Sequence, residues 1–370
     1  MPRELTACEI DSIMVGATFL GAGGGGPLDT GRELLKKQTS GSYSIDLYSM
    51  DEIPEKERDA TYGAMVACLG SPQKIKENGT FGPDGVACFD AFKKAMLLHG
   101  KEIKYLYSGE MGGFNTFTPM LVAILSDKDP AKRIKFVDAD GNGRAVPELN
   151  TTINAFYDHP PKPMGMGSLY GDEIIVYPTT DHSGEQIARQ MCMLYKMRIG
   201  FATWGMNKEE ITNILDVGCV TKAQKIGKAI LTAKETGSDV MDELKKAFEV
   251  REFCRGTIEK LDLRAEGGFD FGTTVIKGDD GHTYYIDFKN ENLILRDEKG
   301  DTIMTAPEGI GMIDLNNCFP LTNADTKEGM RVLVTMTPAH PNWWDEDHKA
   351  YTCWLPELKK VGMKGDQVRY

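Results

Sequence analysis

The chain has 370 residues, 41% hydrophobic and 26% charged, proportions that suit a soluble globular protein with room for two domains. Its formal charge of −12 works against a nucleic-acid or anionic-membrane partner, since both are held by clustered Lys and Arg. Here the basic residues are dispersed on solvated helix faces such as "ELLKKQ" and "DELKKAFE", and eight cysteines stand far apart with no C-x-x-C, which excludes a zinc finger or a disulfide scaffold.

The first element predicted is a helix in "TACEIDSIMVGATFLG", where Thr6 and Glu9 stand at capping-box spacing and Ile10, Ile13, Met14, Ala17 and Leu20 recur at helical intervals. Glu4, Glu9 and Asp11 occupy the place where a signal peptide would be basic and then apolar, and no 18-residue apolar run follows, so the expected location is cytoplasmic. Next comes "FLGAGGGGPLDTG", residues 19–31, and then a second helix in "LDTGRELLKKQ". A dinucleotide fingerprint matched at Gly21, Gly23 and Gly26 lacks the strand that should precede it, and no Lys-Ser or Lys-Thr follows as a phosphate loop requires. The run therefore reads as a helix-loop-helix junction, expected to face a ligand with the bare backbone of Gly23, Gly24, Gly25 and Gly26.

Three apolar strands follow, "YGAMVACLG", "IKYLYSG" and "IKFVDAD", separated by helical stretches around 84–99, 116–126 and 147–157. That alternation predicts a largely parallel sheet covered by helices, whose ligand site lies beyond the carboxyl ends of the strands. Each strand ends in a polar or glycine-rich loop, "GSPQ", "GEMGGFN" and "DADGNGR", and these loops are expected to converge with the glycine run.

"GEMGGFN" offers Glu110 as a catalytic acid or helix-end charge, with Gly112, Gly113 and Asn115 as substrate-binding candidates. "DADGNGRAVPE" offers Asp138, Asp140, Asn142, Arg144 and Glu148. It begins like a calcium loop and then departs, because its twelfth position is Leu149 and a strand precedes it. Two carboxylates beside a guanidinium suit either an Asx-rich turn or a catalytic cluster in which Arg144 holds an anionic substituent. "TTDHSGE" presents Asp181, His182 and Ser183 consecutively, too close for a triad; His182 is an acid, base or ligand candidate and Ser183 a helix cap. Asp138, Asp140, Glu148 and His182 are also the candidate ligands of a divalent metal. His340, between Pro338 and Pro341 and beside two tryptophans, reads as a packing corner.

"GDEIIVYPTTDHSGEQ" begins with another strand, and 183–250 reads as helical. From Phe253 short strands with turn signals take over, as in "GFDFGTTVIKG" and "RVLVTMTPAH". The expected fold is α/β plus β. Residues 1–165 form a three-layer α/β domain with a mostly parallel sheet; residues 166–370 form a helical segment followed by a barrel or sandwich.

Taken together, "LGAGGGGP", "GSP", "GEMGGFN", "VDADGNGRAVPE", "GFDFGTTVIKG", "FKNENLILRDEKGD" and "APEGIGMID" resemble the S-methyl thiohydantoin desulfurase family over most of the chain. The resemblance implies an amino-terminal α/β domain, a carboxyl-terminal β-rich domain, and water attack on the sulfur-bearing carbon of a small ring with release of a thiol. Asp138 or Asp140 would then supply the base, the glycine-loop amides the donors, and Arg144 the cation. The expected partner is a small-molecule substrate, with a homo-oligomer left open. Two other readings compete, a nucleotide-binding enzyme using the glycine loop and a non-catalytic metal or small-molecule binding protein.

Overall fold

The computed structural model describes residues 2–39, 44–54, 61–70, 82–157, 159–266 and 269–370. Among these, nine strands form a first sheet: β1 (Arg3–Leu5), β2 (Ile45–Tyr48), β3 (Thr61–Gly70), β4 (Glu102–Ser108), β5 (Lys135–Asp140), β6 (Met164–Gly167), β7 (Glu173–Val176), β8 (Arg198–Asn207) and β9 (Asp216–Val217). Their order is β1-β2-β5-β4-β3-β8-β6-β7, with β9 paired to β5. The four central strands β2, β5, β4 and β3 are parallel, as the alternation of strands and helices predicts. Antiparallel strands extend both edges, so the whole sheet is mixed.

Both faces of this sheet are covered. Along β3, Ala64, Val66 and Cys68 enter one core while Met65, Ala67 and Leu69 enter the other, the period-two alternation of a strand buried on both sides. The first core takes the helices Ala7–Leu20, Pro83–Leu98, Phe117–Leu125 and Cys219–Thr236, and the second takes Asp181–Leu194 and Lys208–Ile214. The capping box of the first helix is present, with Glu9 N donating to Thr6 Oγ1 (3.4 Å) and Thr6 N to Glu9 Oε2 (3.0 Å). This helix crosses Cys219–Thr236 through a glycine notch: a Cβ on Gly16 would stand 2.7 Å from the Ala223 carbonyl carbon, and one on Gly227 would stand 2.7 Å from that of Ser12.

Seven strands form a second, wholly antiparallel sheet: β10 (Arg251–Glu266), β11 (Phe269–Gly278), β12 (Thr283–Lys289), β13 (Glu291–Arg296), β14 (Thr302–Thr305), β15 (Gly309–Asp314) and β16 (Arg331–Thr337). Their order is β14-β13-β12-β11-β10-β16-β15. Although β13 and β15 lie near opposite ends of that order, Asn292 Nδ2 donates to Ile310 O at 2.8 Å. The sheet is therefore curled into a half-barrel around Ile258, Ile276, Ile286, Leu295 and Val334, one sheet closing on itself rather than the two of a sandwich.

One expectation is corrected here. Within 183–250, read as helical, lies β8, ten residues long and paired with β3 and β6. Both of its faces are buried, so "RIGFATWGMN" shows no polar alternation, and its two glycines hide it further. Residues 147–157 form two short 3-10 turns, Leu149–Thr151 and Ile153–Phe156, in place of a regular helix. No described helix is long and apolar enough to cross a membrane, and all eight cysteines are free thiols.

Candidate active site

A cleft opens at the carboxyl ends of β3, β4 and β5 and is bounded by the β12–β13 hairpin of the second sheet. Gly70 reaches it from β3, Gly109, Glu110, Phe114 and Asn115 from the loop after β4, and Asn142, Val146, Pro147 and Glu148 from the loop after β5. Gly25 and Gly26 reach it from the glycine run, so the three motifs do come together. The remainder of "GSPQ" and "GSP", from Ser71 onward, lies outside the described residues.

The glycine run is a seam between the two sheets. Ala22 O accepts from Asn292 N (2.8 Å) and Gly23 O from Asn323 N (2.8 Å), which ties the loop to the second sheet. Gly25 O accepts from Phe114 N (3.2 Å) and Asn115 N (3.1 Å), which ties it to the "GEMGGFN" loop. A Cβ on Gly25 would lie 2.5 Å from Gly112 Cα, and Gly25 also has φ +72°, a conformation that favours glycine. The close approach that the sequence predicts is real, but over much of the run the neighbour is the protein itself. Gly23, Gly24, Gly112 and Gly113 pack behind the cleft wall against Asn292, Glu291, Gly25 and Leu28, respectively.

Two carboxyl groups dominate the chemistry. Glu110 stands immediately beyond β4, partly open to the cleft; its Oε1 accepts from Asn115 Nδ2 (2.5 Å) and its Oε2 from Val146 N (2.8 Å). Asn115 is itself oriented, because its Oδ1 accepts from Cys68 N at 3.2 Å. Opposite stands Glu291, 3% exposed, whose Oε2 has no hydrogen-bond partner among the described residues. Burial pushes the Glu110 carboxyl up to about 7, with its two donors pulling the other way. Burial first, and then the charge of Glu110, push Glu291 up to about 8. Both carboxyls are thus raised toward the range in which an acid or a base works at neutral pH.

Glu291 owes its place to the turn before it. Asn290 adopts φ +55°, which asparagine tolerates, and so makes a hairpin in which Lys289 pairs with Glu291. The Lys289 ammonium is buried in ion pairs with Glu148 and, at 2.7 Å, with Glu357. One cation, Arg189, lines the cleft among the described residues; it is held by Glu185 Oε1 (2.6 Å) and Pro147 O (3.2 Å) and lies over the Phe269 ring.

The remaining sequence candidates are placed elsewhere. Asp138 accepts from Thr221 N (3.1 Å) and Thr221 Oγ1, and so anchors the first turn of the helix Cys219–Thr236. Asp140 is an Asx turn, accepting from Asn142 N (2.9 Å) and Gly143 N (2.6 Å); burial pushes it up to about 7, yet it does not reach the cleft. Arg144 is a buried clamp between the sheets. It donates to the carbonyl oxygens of Ala145 (3.0 Å), Pro307 (2.9 Å), Glu308 (2.8 Å) and Asn292 (3.2 Å), with its guanidinium over Trp354. Exposed His182 sits on the first turn of the helix Asp181–Leu194, whose cap is Thr180, with Ser183 the third residue of its capping box. Asp138, Asp140, Glu148 and His182 do not converge, and no three His, Cys, Asp or Glu side chains among the described residues are arranged to hold a metal ion. His340 does stand at a packing corner, beside the wholly buried Trp343.

Glu291, Arg189, Cys68, Phe201 and Trp204 line the cleft and escape the sequence reading. For Glu291 a signal exists: "KNEN" places four polar residues between the apolar runs "YYIDF" and "LILR", which reads as an exposed turn but is buried.

Fold and cleft together define a two-domain α/β protein with a paired-carboxyl site where its two sheets meet. The chain belongs to the S-Me-THD-like family, whose amino-terminal domain model matches residues 8–178 and whose carboxyl-terminal domain model matches residues 179–356. A crystal structure of a protein from Chromobacterium violaceum is similar over 99% of both chains, with 23% identity and a TM-score of 0.81, a likeness that speaks to the fold. No curated protein matches the sequence.

Proposed function

We propose that the cleft removes sulfur, as a thiol, from a thiohydantoin-like ring by attack of water on the sulfur-bearing carbon. The family supports the class of reaction, and the buried Glu110–Glu291 pair carries the assignment to this cleft. In this reading Glu110 is the base, because the donors Asn115 and Val146 favour its ionised form. It takes a proton from water as the new C–O bond forms. Glu291, which holds its proton more tightly, acts as the acid: it protonates the sulfur as the C–S bond breaks. The second proton of the water passes to the ring nitrogen, a ring carbonyl and a free thiol remain, and the proton left on Glu110 returns to Glu291. A thiol, with a pKa roughly that of a cysteine side chain near 8.5, leaves such an intermediate far more readily than an amide nitrogen.

The test is incubation with an S-methyl thiohydantoin, followed by measurement of methanethiol in the headspace and hydantoin in solution. Stoichiometric appearance of both, slowed roughly 10²-fold in Glu291→Gln, is expected. If neither product forms at any pH from 6 to 9, the proposal fails.

A further inference from the structure

Strand β8 breaks its register against β3. Gly63 pairs with Met206 and Met65 with Thr203, so Trp204 and Gly205 together oppose Ala64 alone. This bulge shifts the alternation by one residue: Phe201, Trp204 and Met206 share a core, where a regular strand would continue from 201 to 203 and 205. Trp204 has φ +50°, in the left-handed region that a bulky aromatic rarely enters, and Tyr107 Oη donates to its carbonyl oxygen at 2.6 Å. The outcome is a cleft-lining indole, 3% exposed, whose Nε1–H has no hydrogen-bond acceptor among the described residues. A buried donor without a partner and a strained aromatic both cost free energy, and bulges recur beside sites because they re-aim one side chain.

We propose that Trp204 is a ligand-positioning residue of the cleft, donating its indole N–H to an uncharged carbonyl oxygen of a planar ring. This rests on the desulfurase reading for the location of the site, but not for the chemistry performed there. The acceptor is a neutral carbonyl because Met65, Ala67 and Phe201, which belong to the same apolar core as Trp204, line the cleft with it, and beside them a carboxylate would lose its water without gaining a counter-charge. Arg189, the cleft's described cation, is already committed to Glu185 and Pro147. Glu291 lines the same cleft and its unpartnered Oε2 suits a ring N–H, so the two residues together suit a ring carrying both groups.

The experiment titrates hydantoin, S-methyl thiohydantoin and succinimide into the full chain by calorimetry, for wild type and Trp204→Phe. The variant keeps the ring plane and deletes the N–H. Binding of at least one ring should weaken about tenfold, or about 1.4 kcal/mol, in a variant that still folds; the smaller ring leaves a cavity in the core, so a modest fall in melting temperature is expected and is not the readout. A second measurement uses wild type alone: one of the four indole N–H resonances should move when a ring saturates the protein. Equal binding by the folded variant, a bound ring that moves none of the four resonances, or no binding of any ring would each overturn the inference. Binding of hydantoin or succinimide without thiol release from the S-methyl compound would instead remove the desulfurase reading and leave Trp204 in its role.

Discussion

Gly24 and Glu291 compete for one space: a Cβ on residue 24 would stand 2.6 Å from Cγ and 2.7 Å from Cδ of Glu291. The obstructing atoms belong to a side chain that can swing, so Gly24→Ala should fold while displacing the carboxyl. Turnover is expected to fall at least about tenfold, since small misplacements of a catalytic group cost rates of this order or more, with little change in melting temperature. Wild-type kinetics in this variant would show that the Glu291 position does not matter to the reaction.

Glu110→Gln and Glu291→Gln should each lower turnover by roughly 10²-fold, the usual scale for a lost acid or base. The wild-type rate should follow a bell-shaped pH profile whose limbs belong to the pair as a whole. Replacing Glu291 should collapse the alkaline limb, and a profile that keeps both limbs would exclude it as the acid.

The same pair makes stability depend on pH with a definite sign. Both carboxyls are raised in the folded protein, to about 7 and about 8, so between the ordinary carboxyl range and pH 8 the folded chain holds more protons than the unfolded chain. Stability from these groups is therefore complete only below the ordinary carboxyl range and is lost progressively as pH rises from there through their folded values. Thermal melts from pH 5 to 9 should show this decline, and Glu291→Gln should flatten it. A variant melting curve that declines as steeply as wild type would locate the pH dependence elsewhere.

Arg144→Lys should lower the melting temperature and leave the Michaelis constant of the folded protein unchanged. An ammonium cannot reach four carbonyl oxygens arranged around a planar fork, and each hydrogen bond lost from a charged donor is worth about 1.5–3 kcal/mol. A raised Michaelis constant at unaltered stability would instead put the guanidinium on the substrate.

Gly227→Val should be more damaging than any of these, because the atoms it meets are backbone and cannot swing away. Overpacking of this kind costs about 1–3 kcal/mol or more, to be read as a shift of the denaturant midpoint. Exposed Lys228→Ala, one residue along, serves as the control and should leave the midpoint in place.

The architecture was legible where local patterns carry it. Thr6 and Glu9 announce the first helix, alternation announces the parallel centre, and turn signals after Phe253 announce the second sheet. β8 was hidden because a strand buried on both faces has no polar face to mark its period. At the site, Glu110, Asn115, Gly25 and Gly26 were visible as polar or glycine-rich ends of strands and helices. Glu291 and Trp204 were not, since what makes them notable is the absence of a partner after folding, and spacing along a chain does not encode that. Asp138, Asp140 and Arg144 looked catalytic for the same reason they are structural: dense polar residues after a strand must satisfy a buried turn, a helix end and a domain seam.

The notch between Gly16 and Gly227 bears on how the chain is made. At the ribosome, the helix Ala7–Leu20 emerges well before the surface it docks against, which is synthesised about two hundred residues later, a separation that raises contact order and delays native pairing. Until then the Ser12–Gly16 side of the first helix has no neighbour from the helix Cys219–Thr236. A chain truncated before Cys219 would leave that side of its first helix without the neighbour that covers it.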